Sequence, residues 1–150
     1  MTSIGDDTML KGIDPLIGPE LLQILRAMGH GDELIIVDAN FPAAASTKRL
    51  VRLDGVDAPR ALKAVLSLMP LDDFVESPLA FMAVVGEPTA IPEVTCELKK
   101  VAEEAEGKSL TAERMDRFAF YERARNAYAI VATSERRLYG NVILKKGVIR

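Results

Sequence analysis

The sequence predicts one α/β domain, with helices on both faces of a sheet, from three observations. Short continuous apolar runs at 34–37, 79–85 and 128–132 read as strands covered on both faces. Segments with helical apolar spacing alternate with these runs. A length of 150 residues, 49% of them hydrophobic, suits a single domain around one core.

The elements follow in order. Residues 1–10 read as a loose leader ahead of a domain at 11–150. Pro19 suits a first helical turn, and Leu21, Leu22, Ile24, Leu25 and Met28 continue at helical spacing to give a helix over 19–28. Gly29 and Gly31 read as its stop. The strand 34–37 lies between Asp32-Glu33 and Asp38, and Asn40-Phe41-Pro42 breaks it. Residues 43–47 read as a small-residue loop, and 49–53 as a short strand ended by Asp54-Gly55. Asp57-Ala58-Pro59 opens a second helix with a capping carboxylate; Leu62, Val65, Leu66 and Met69 form its apolar face and Pro70 closes it. After the strand at 79–85, Pro88 and Pro92 mark a loop. A helix then spans 92–106 and stops at Gly107, another spans 114–126 with Phe118, Phe120, Tyr121 and Ala124, and a last strand spans 142–144.

Bulk chemistry excludes several classes. With 19 basic and 22 acidic residues the net charge is −3, so nothing electrostatic favours nucleic acid or an anionic membrane. The pairs Arg136-Arg137 and Lys145-Lys146 read as solvated positions. The one cysteine, Cys96, excludes an intrachain disulfide and a cysteine-based zinc cluster and fits a reducing compartment. No signal-peptide pattern opens the chain, and no stretch approaches the roughly 18 apolar residues of a membrane helix. The expectation is a soluble, cytoplasmic protein.

Four places can carry chemistry. His30, the sole histidine, sits between two glycines at a helix end. It reads either as a cap on the last carbonyls or as an exposed imidazole suited to acid–base work near neutral pH. Asp38 and Asn40 follow a buried strand, where α/β sheets bind ligands, or they form an Asx turn. Tyr139 and Asn141 flank Gly140, so in extended chain they share a side; the alternative is a plain turn. Arg117 and Tyr121 share a helix face at i, i+4, or lie on a solvated helix with a half-buried tyrosine. Metal-ligand spacing, a phosphate-binding glycine loop and a serine nucleophile motif are all absent from the sequence. The remaining kit does acid–base chemistry and binds hydroxyls, and no cofactor or metal is expected.

Taken together, the segments Pro19-Glu20-Leu21-Leu22, Met28-Gly29-His30-Gly31-Asp32-Glu33, Asp38-Ala39-Asn40-Phe41-Pro42, Arg117-Phe118-Ala119-Phe120-Tyr121-Glu122-Arg123-Ala124 and Tyr139-Gly140-Asn141, leading into Leu144-Lys145-Lys146-Gly147-Val148, resemble the L-fucose mutarotase branch of the fucose mutarotase/ribose pyranase family. The resemblance runs from about residue 11 to 149. It implies a three-layer α/β/α fold with a central, mostly parallel sheet. It also implies a cofactor-free isomerase that interconverts the α and β anomers of a reducing monosaccharide such as L-fucose, and a ring-like homo-oligomer, a decamer. It places the proton donor on His30 and sugar-binding positions on Asp38, Arg117, Tyr139 and Asn141. Some fucose-type members carry His where this chain has Asn40. The catalytic set expected is His30, Asp38 and Tyr139; the sugar-binding set is Asp38, Asn40, Arg117, Tyr121, Tyr139 and Asn141. Asp38 would bind hydroxyls or orient His30. A non-catalytic sugar-binding protein and a ribose pyranase are the alternative readings.

One geometric expectation comes from spacing alone. His30 precedes strand 34–37 and Asp38 follows it, so the two lie up to roughly 26 Å apart if the chain is extended. Either the 30–33 loop folds back, or a neighbouring subunit completes the site; the second is the expectation carried forward.

Overall fold

The computed structural model describes residues 9–150; residues 1–8 of the expected leader lie outside the described part. Six strands, β1 (Glu33–Val37), β2 (Leu50–Leu53), β3 (Leu79–Met82), β4 (Ala112–Met115), β5 (Ala129–Thr133) and β6 (Val142–Lys145), form one sheet in the order β2-β5-β1-β6-β3-β4. The β2–β5, β5–β1 and β3–β4 pairs are parallel, and only β6 runs against its neighbours β1 and β3. The sheet is therefore mostly parallel.

Helices α1 (Pro19–Ala27), α2 (Ala43–Ser46), α3 (Ala58–Leu66), α4 (Glu93–Glu106) and α5 (Arg117–Arg125) cover it. Successive strand residues point to opposite faces, and β1 shows what each face meets. Leu34 and Ile36 pack with Leu21 and Leu25 of α1, Leu62 and Val65 of α3, and Leu98 and Ala102 of α4. Ile35 and Val37 pack with Ala43 of α2 and Phe120 and Ala124 of α5. Leu34, Ile35, Ile36 and Val37 are all fully buried, which is why the run carries no polar alternation. Each such residue contributes about 1.5–3 kcal/mol of burial. No described helix is long and apolar enough to cross a membrane.

Three boundaries depart from the sequence reading. Residues 43–47 are not a loop throughout: Ala43–Ser46 form the short helix α2, since an alanine run favours helix, and Ser46 Oγ donates to the Pro42 carbonyl. The helix expected from 114 begins only at Arg117, because Asp116 caps it, accepting the Ala119 N–H at 2.9 Å. The residues before it, Ala112–Met115, form edge strand β4, whose charged Glu113 and Arg114 hid it from hydrophobic pattern. The strand expected over 79–85 stops at Met82, and Gly86, with φ 81°, turns the chain.

Of the charge pairs read as solvated, Arg136 is exposed as expected, but Lys146 and Arg137 are corrected. Lys146 is only partly exposed, and its Nζ donates to the Leu25 and Met28 carbonyls at the end of α1. That end is capped by a lysine from the far terminus and not by a left-handed glycine, since Met28, the C-cap, is extended. Arg137 donates to buried Glu135 and to Glu97.

Two buried carboxylates make stability pH-dependent. Arg60 grips Asp14 at 2.8 and 2.9 Å, and its hydrogen bonds outweigh burial to hold that carboxyl below its ordinary range. Arg137 lowers Glu135 in the same way. Both groups bind protons more weakly folded than unfolded. Their contribution is complete above the ordinary values of 3.8 and 4.5 and is lost as pH falls through the lower folded values. An Asp14→Asn/Glu135→Gln double variant is expected to be less stable than the parent at neutral pH, yet to lose less stability between about pH 5 and about pH 3. Urea midpoints across that range check it, and equal slopes for the two proteins reject it.

Candidate active site

A cleft of about 150 Å³ opens where β1 and β3 end and β6 begins, lined by Asp38, Asn40, Phe41, Met82, Val85, Arg117, Tyr121, Leu138, Tyr139 and Asn141. This is the carboxyl edge of the parallel strands, where α/β sheets bind ligands. The reversal of β6 brings Asn141 here: Ile36 of β1 pairs with Val142 of β6, so the residue before β6 meets the one after β1. Asn141 Oδ1 accepts the buried Asp38 N–H at 2.8 Å.

Asp38 lies in an Asx turn and in the cleft at once. Its Oδ1 accepts the Asn40 N–H at 2.9 Å, and the Ala39 N–H donates to the Glu135 carbonyl at 2.8 Å. Burial pushes the Asp38 carboxyl above its ordinary value, against the backbone N–H groups and Asn141 that pull it down. Such a group is better disposed than a free carboxylate to carry a proton.

Tyr139 is not extended, as the sequence reading assumed. Its φ is 67°, the one described non-glycine residue with positive φ. That conformation costs on the order of 1–3 kcal/mol. The Val85 N–H donates to the Tyr139 hydroxyl oxygen at 3.0 Å, so the phenolic proton remains to be donated elsewhere. Gly140 sits behind it: a Cβ there would lie 2.7 Å from Glu135 Cγ and 3.3 Å from the Arg137 carbonyl. Arg117 and Tyr121, on α5, reach the same cleft, with the Tyr121 ring edge-on to Phe41 at 5.3 Å between centroids.

His30 is not in this cleft. It sits in the turn before β1, at the amino edge of the sheet, with five strand residues between it and Asp38. The loop does not fold back, because the Gly31 N–H donates to the Lys146 carbonyl just past β6. One chain therefore brings together Asp38, Asn40, Arg117, Tyr121, Tyr139 and Asn141, and leaves His30 apart. Asp38 does not orient the imidazole of its own chain, and His30 does not cap α1.

The partner of His30 is Asp72, which sequence reasoning missed. Nε2 of His30 lies 3.0 Å from Asp72 Oδ1; the imidazole side chain is 40% exposed and the carboxylate side chain 3%. The Phe74 ring meets the imidazole edge-on at 4.9 Å between centroids. Burial works to raise the Asp72 carboxyl, but the Phe74 N–H and His30 outweigh it and hold the group below its ordinary value. The Nε2–H tautomer satisfies that carboxylate and leaves Nδ1 as a free base. Nothing in the sequence ties two residues 42 apart. Glu135, buried beneath the cleft, was missed for the same reason. Of the apolar wall of Phe41, Met82, Val85 and Leu138, only Phe41 lies in a motif segment.

Comparison with known proteins places these features. A model of the RbsD / FucU transport protein family matches residues 11–149. The chain is 46% identical to an L-fucose mutarotase of Actinobacillus pleuropneumoniae over 140 residues, covering 93% of this chain and 97% of that one. It is 45% identical to the fucose mutarotase of Homo sapiens, covering 93% and 94%. The crystal structure of the Streptococcus pneumoniae fucose mutarotase in complex with L-fucose superposes with a TM-score of 0.87 at 45% identity, covering 94% of this chain and all of the other.

Asn141→Ala should remove the acceptor from the buried Asp38 N–H and cost about 1–3 kcal/mol. Chemical denaturation checks it; a loss under about 0.5 kcal/mol would mean that solvent satisfies this amide.

Proposed function

The chain belongs to the RbsD / FucU family, and from that premise we propose that it is a sugar mutarotase that interconverts the α and β anomers of L-fucose or a related reducing monosaccharide. One observation carries the reading. Six hydroxyl-binding and proton-carrying side chains converge in one cleft at the carboxyl edge of the sheet, beside an apolar wall, in a chain nearly half identical to fucose mutarotases. Hydroxyls on one side and a methyl group on the other describe a 6-deoxy sugar.

Anomer exchange breaks the C1–O5 bond. A proton leaves the anomeric hydroxyl, C1=O1 forms, and a proton arrives on the ring oxygen; rotation about C1–C2 and the reverse transfer close the other anomer. Protons are conserved, so one acceptor and one donor beside C1 and O5 suffice. His30 is the principal carrier, taking or giving a proton at Nδ1 while Asp72 holds Nε2. Tyr139, whose hydroxyl proton is free, and Asp38, whose carboxyl is pushed upward, are the complementary groups. Arg117, Asn40, Tyr121 and the Asn141 amide hold hydroxyls.

A five-residue strand spans roughly 17 Å, farther than one pyranose reaches between His30 and Asp38. The cleft is also small and open, below the roughly 300–1,000 Å³ of a complete ligand pocket. These support a site assembled from two copies, one giving the Asp38 cleft and the other His30 with Asp72. A head-to-tail contact of this kind generates a ring where its rotation closes, and we extend the proposal to a ring-like homo-oligomer acting in the cytoplasm.

Saturation transfer between the anomeric protons of L-fucose tests the activity. Added protein is expected to accelerate exchange, and His30→Ala to lower that acceleration by about 10²–10⁴-fold with folding and assembly unchanged. Binding without acceleration would instead identify a sugar-binding protein, and acceleration confined to pyranose–furanose exchange of D-ribose a pyranase. The shared site has its own check. Equal mixtures of His30→Ala and Asp38→Asn chains, co-refolded, should regain about a quarter of wild-type activity, since random neighbours pair intact halves that often. No recovery, with mixed assemblies shown to form, rejects a site built from two chains.

A further inference from the structure

His30 and Asp72 come from segments that, among the described residues, share no backbone hydrogen bond. What lies between them is the 145–147 strip, the last residue of β6 and the two that follow it. On one side Lys146 N–H donates to the Asp32 carbonyl and the Lys146 carbonyl accepts the Gly31 N–H, each at 2.9 Å. On the other, Gly147 N–H donates to the Pro70 carbonyl at 2.8 Å and the Lys145 carbonyl accepts the Asp72 N–H at 2.9 Å. The strip is thus zipped to the His30 turn along one edge and to the Asp72 segment along the other. Lys146 Nζ adds a third attachment, donating to the Leu25 and Met28 carbonyls at the end of α1, from which the His30 turn departs.

Gly147 is the tightest point of this arrangement. A Cβ there would lie 2.5 Å from the Leu71 carbonyl oxygen, 2.7 Å from its carbon and 2.9 Å from Asp72 Cα. All three are backbone atoms, so no side-chain rotation relieves them. Gly147 is not among the glycines with positive φ. Its lack of a side chain therefore serves close approach and not an unusual backbone shape. Any residue with a Cβ must push the 71–72 backbone outward. Asp72 Oδ1 moves with that backbone, because it is tied to its own segment by the Phe74 N–H at 3.0 Å. The contact with Nε2 is 3.0 Å, and a retreat of a few tenths of an ångström takes it beyond the roughly 3.2 Å limit of a good N–H···O bond.

We infer that Gly147, closing the 145–147 strip, is a positioning residue that holds Asp72 on Nε2 of His30 and so leaves Nδ1 as the working nitrogen. The catalytic meaning of this rests on His30 being the proton carrier; the structural claim does not.

Because His30 is the only histidine in the chain, ring-nitrogen NMR of histidine-labelled protein reads this contact without assignment. The wild-type ring, above its titration, should show a protonated Nε2 and an unprotonated Nδ1. Asp72→Asn supplies the reference for a ring released from the carboxylate. Gly147→Ala should move the ring shifts toward that reference and lower the maximal anomer exchange rate by up to about 100-fold, the scale of an ångström-sized misplacement, with KM little changed. Lys146→Met, which frees the strip from α1 without adding bulk at 147, should move both readouts the same way by less, and it decides the matter if Gly147→Ala does not fold. Gly55→Ala, in the turn after β2 with φ 83°, is the control: it should lower the denaturation midpoint and leave the ring shifts alone. Wild-type ring shifts in a folded Gly147→Ala or Lys146→Met protein overturn the inference, as does a Gly55→Ala protein that shifts equally. Displaced ring shifts with undiminished exchange would uphold the positioning role and reject His30 as the carrier.

Discussion

The buried strand β1 sets the constraint on which the rest of the molecule depends. Its residues pack on both faces, so it can neither bend nor tilt to bring its ends together. The cleft stands at one end and the imidazole at the other. Every functional element arrives at one of these two edges according to strand direction. The ends of β3 and β4 deliver Met82 and, through the Asp116 cap, Arg117 to the cleft. The segments leading into β1 and β3 deliver His30 and Asp72 to the opposite edge. The antiparallel strand β6 is the exception that serves both, carrying Asn141 at its start and the strip beside His30 at its end. A sixth parallel strand in that place could not touch both edges in the same order.

The two edges treat their carboxylates oppositely. Asp38 and Asp72 are both buried, yet one is pushed up and the other held down. The difference lies in the partners. Asp38 is bounded by neutral dipoles, which offset only part of the desolvation. Asp72 accepts the Phe74 N–H and faces the His30 imidazole, which together outweigh its burial. Two acids of the same type are thereby placed in opposite electrostatic settings, one at the cleft and the other at His30. Such divergence of environment separates proton-carrying from orienting groups.

Much of this was legible in the sequence where a local rule governs. Apolar runs marked β1, β3 and β5, and capping chemistry marked α3 through Asp57, whose side chain accepts the Arg60 N–H at 2.9 Å. Six of the seven candidate residues share the cleft: Asp38 and Asn40 follow β1, Tyr139 and Asn141 precede β6, and Arg117 and Tyr121 lie one turn apart on α5. What stayed hidden was non-local. Edge strand β4 has a ladder on one side only and needs no apolar pattern. Lys146 looks like any surface lysine until a helix end 118 residues earlier presents its carbonyls. Asp72 and Glu135 look like loop acids until the fold encloses them.

On the proposed shared site, the separation of His30 from the cleft links activity to assembly. In a pocket contained within one chain, a change at an interface acts on catalysis only through stability. Here, on the shared-site reading, the interface is where the reacting groups meet, and any slip between neighbours displaces His30 from the sugar directly. The surface around each half-site carries apolar groups suited to such a contact. Phe74 lies exposed against His30 at one edge, and Val85, Leu138 and Phe118 lie exposed near the cleft at the other. Burying them against a neighbour would exclude water from the sugar, strengthening every charge interaction within. It would also make a dissociated chain inert by construction, since each copy then carries both halves of a site and completes neither.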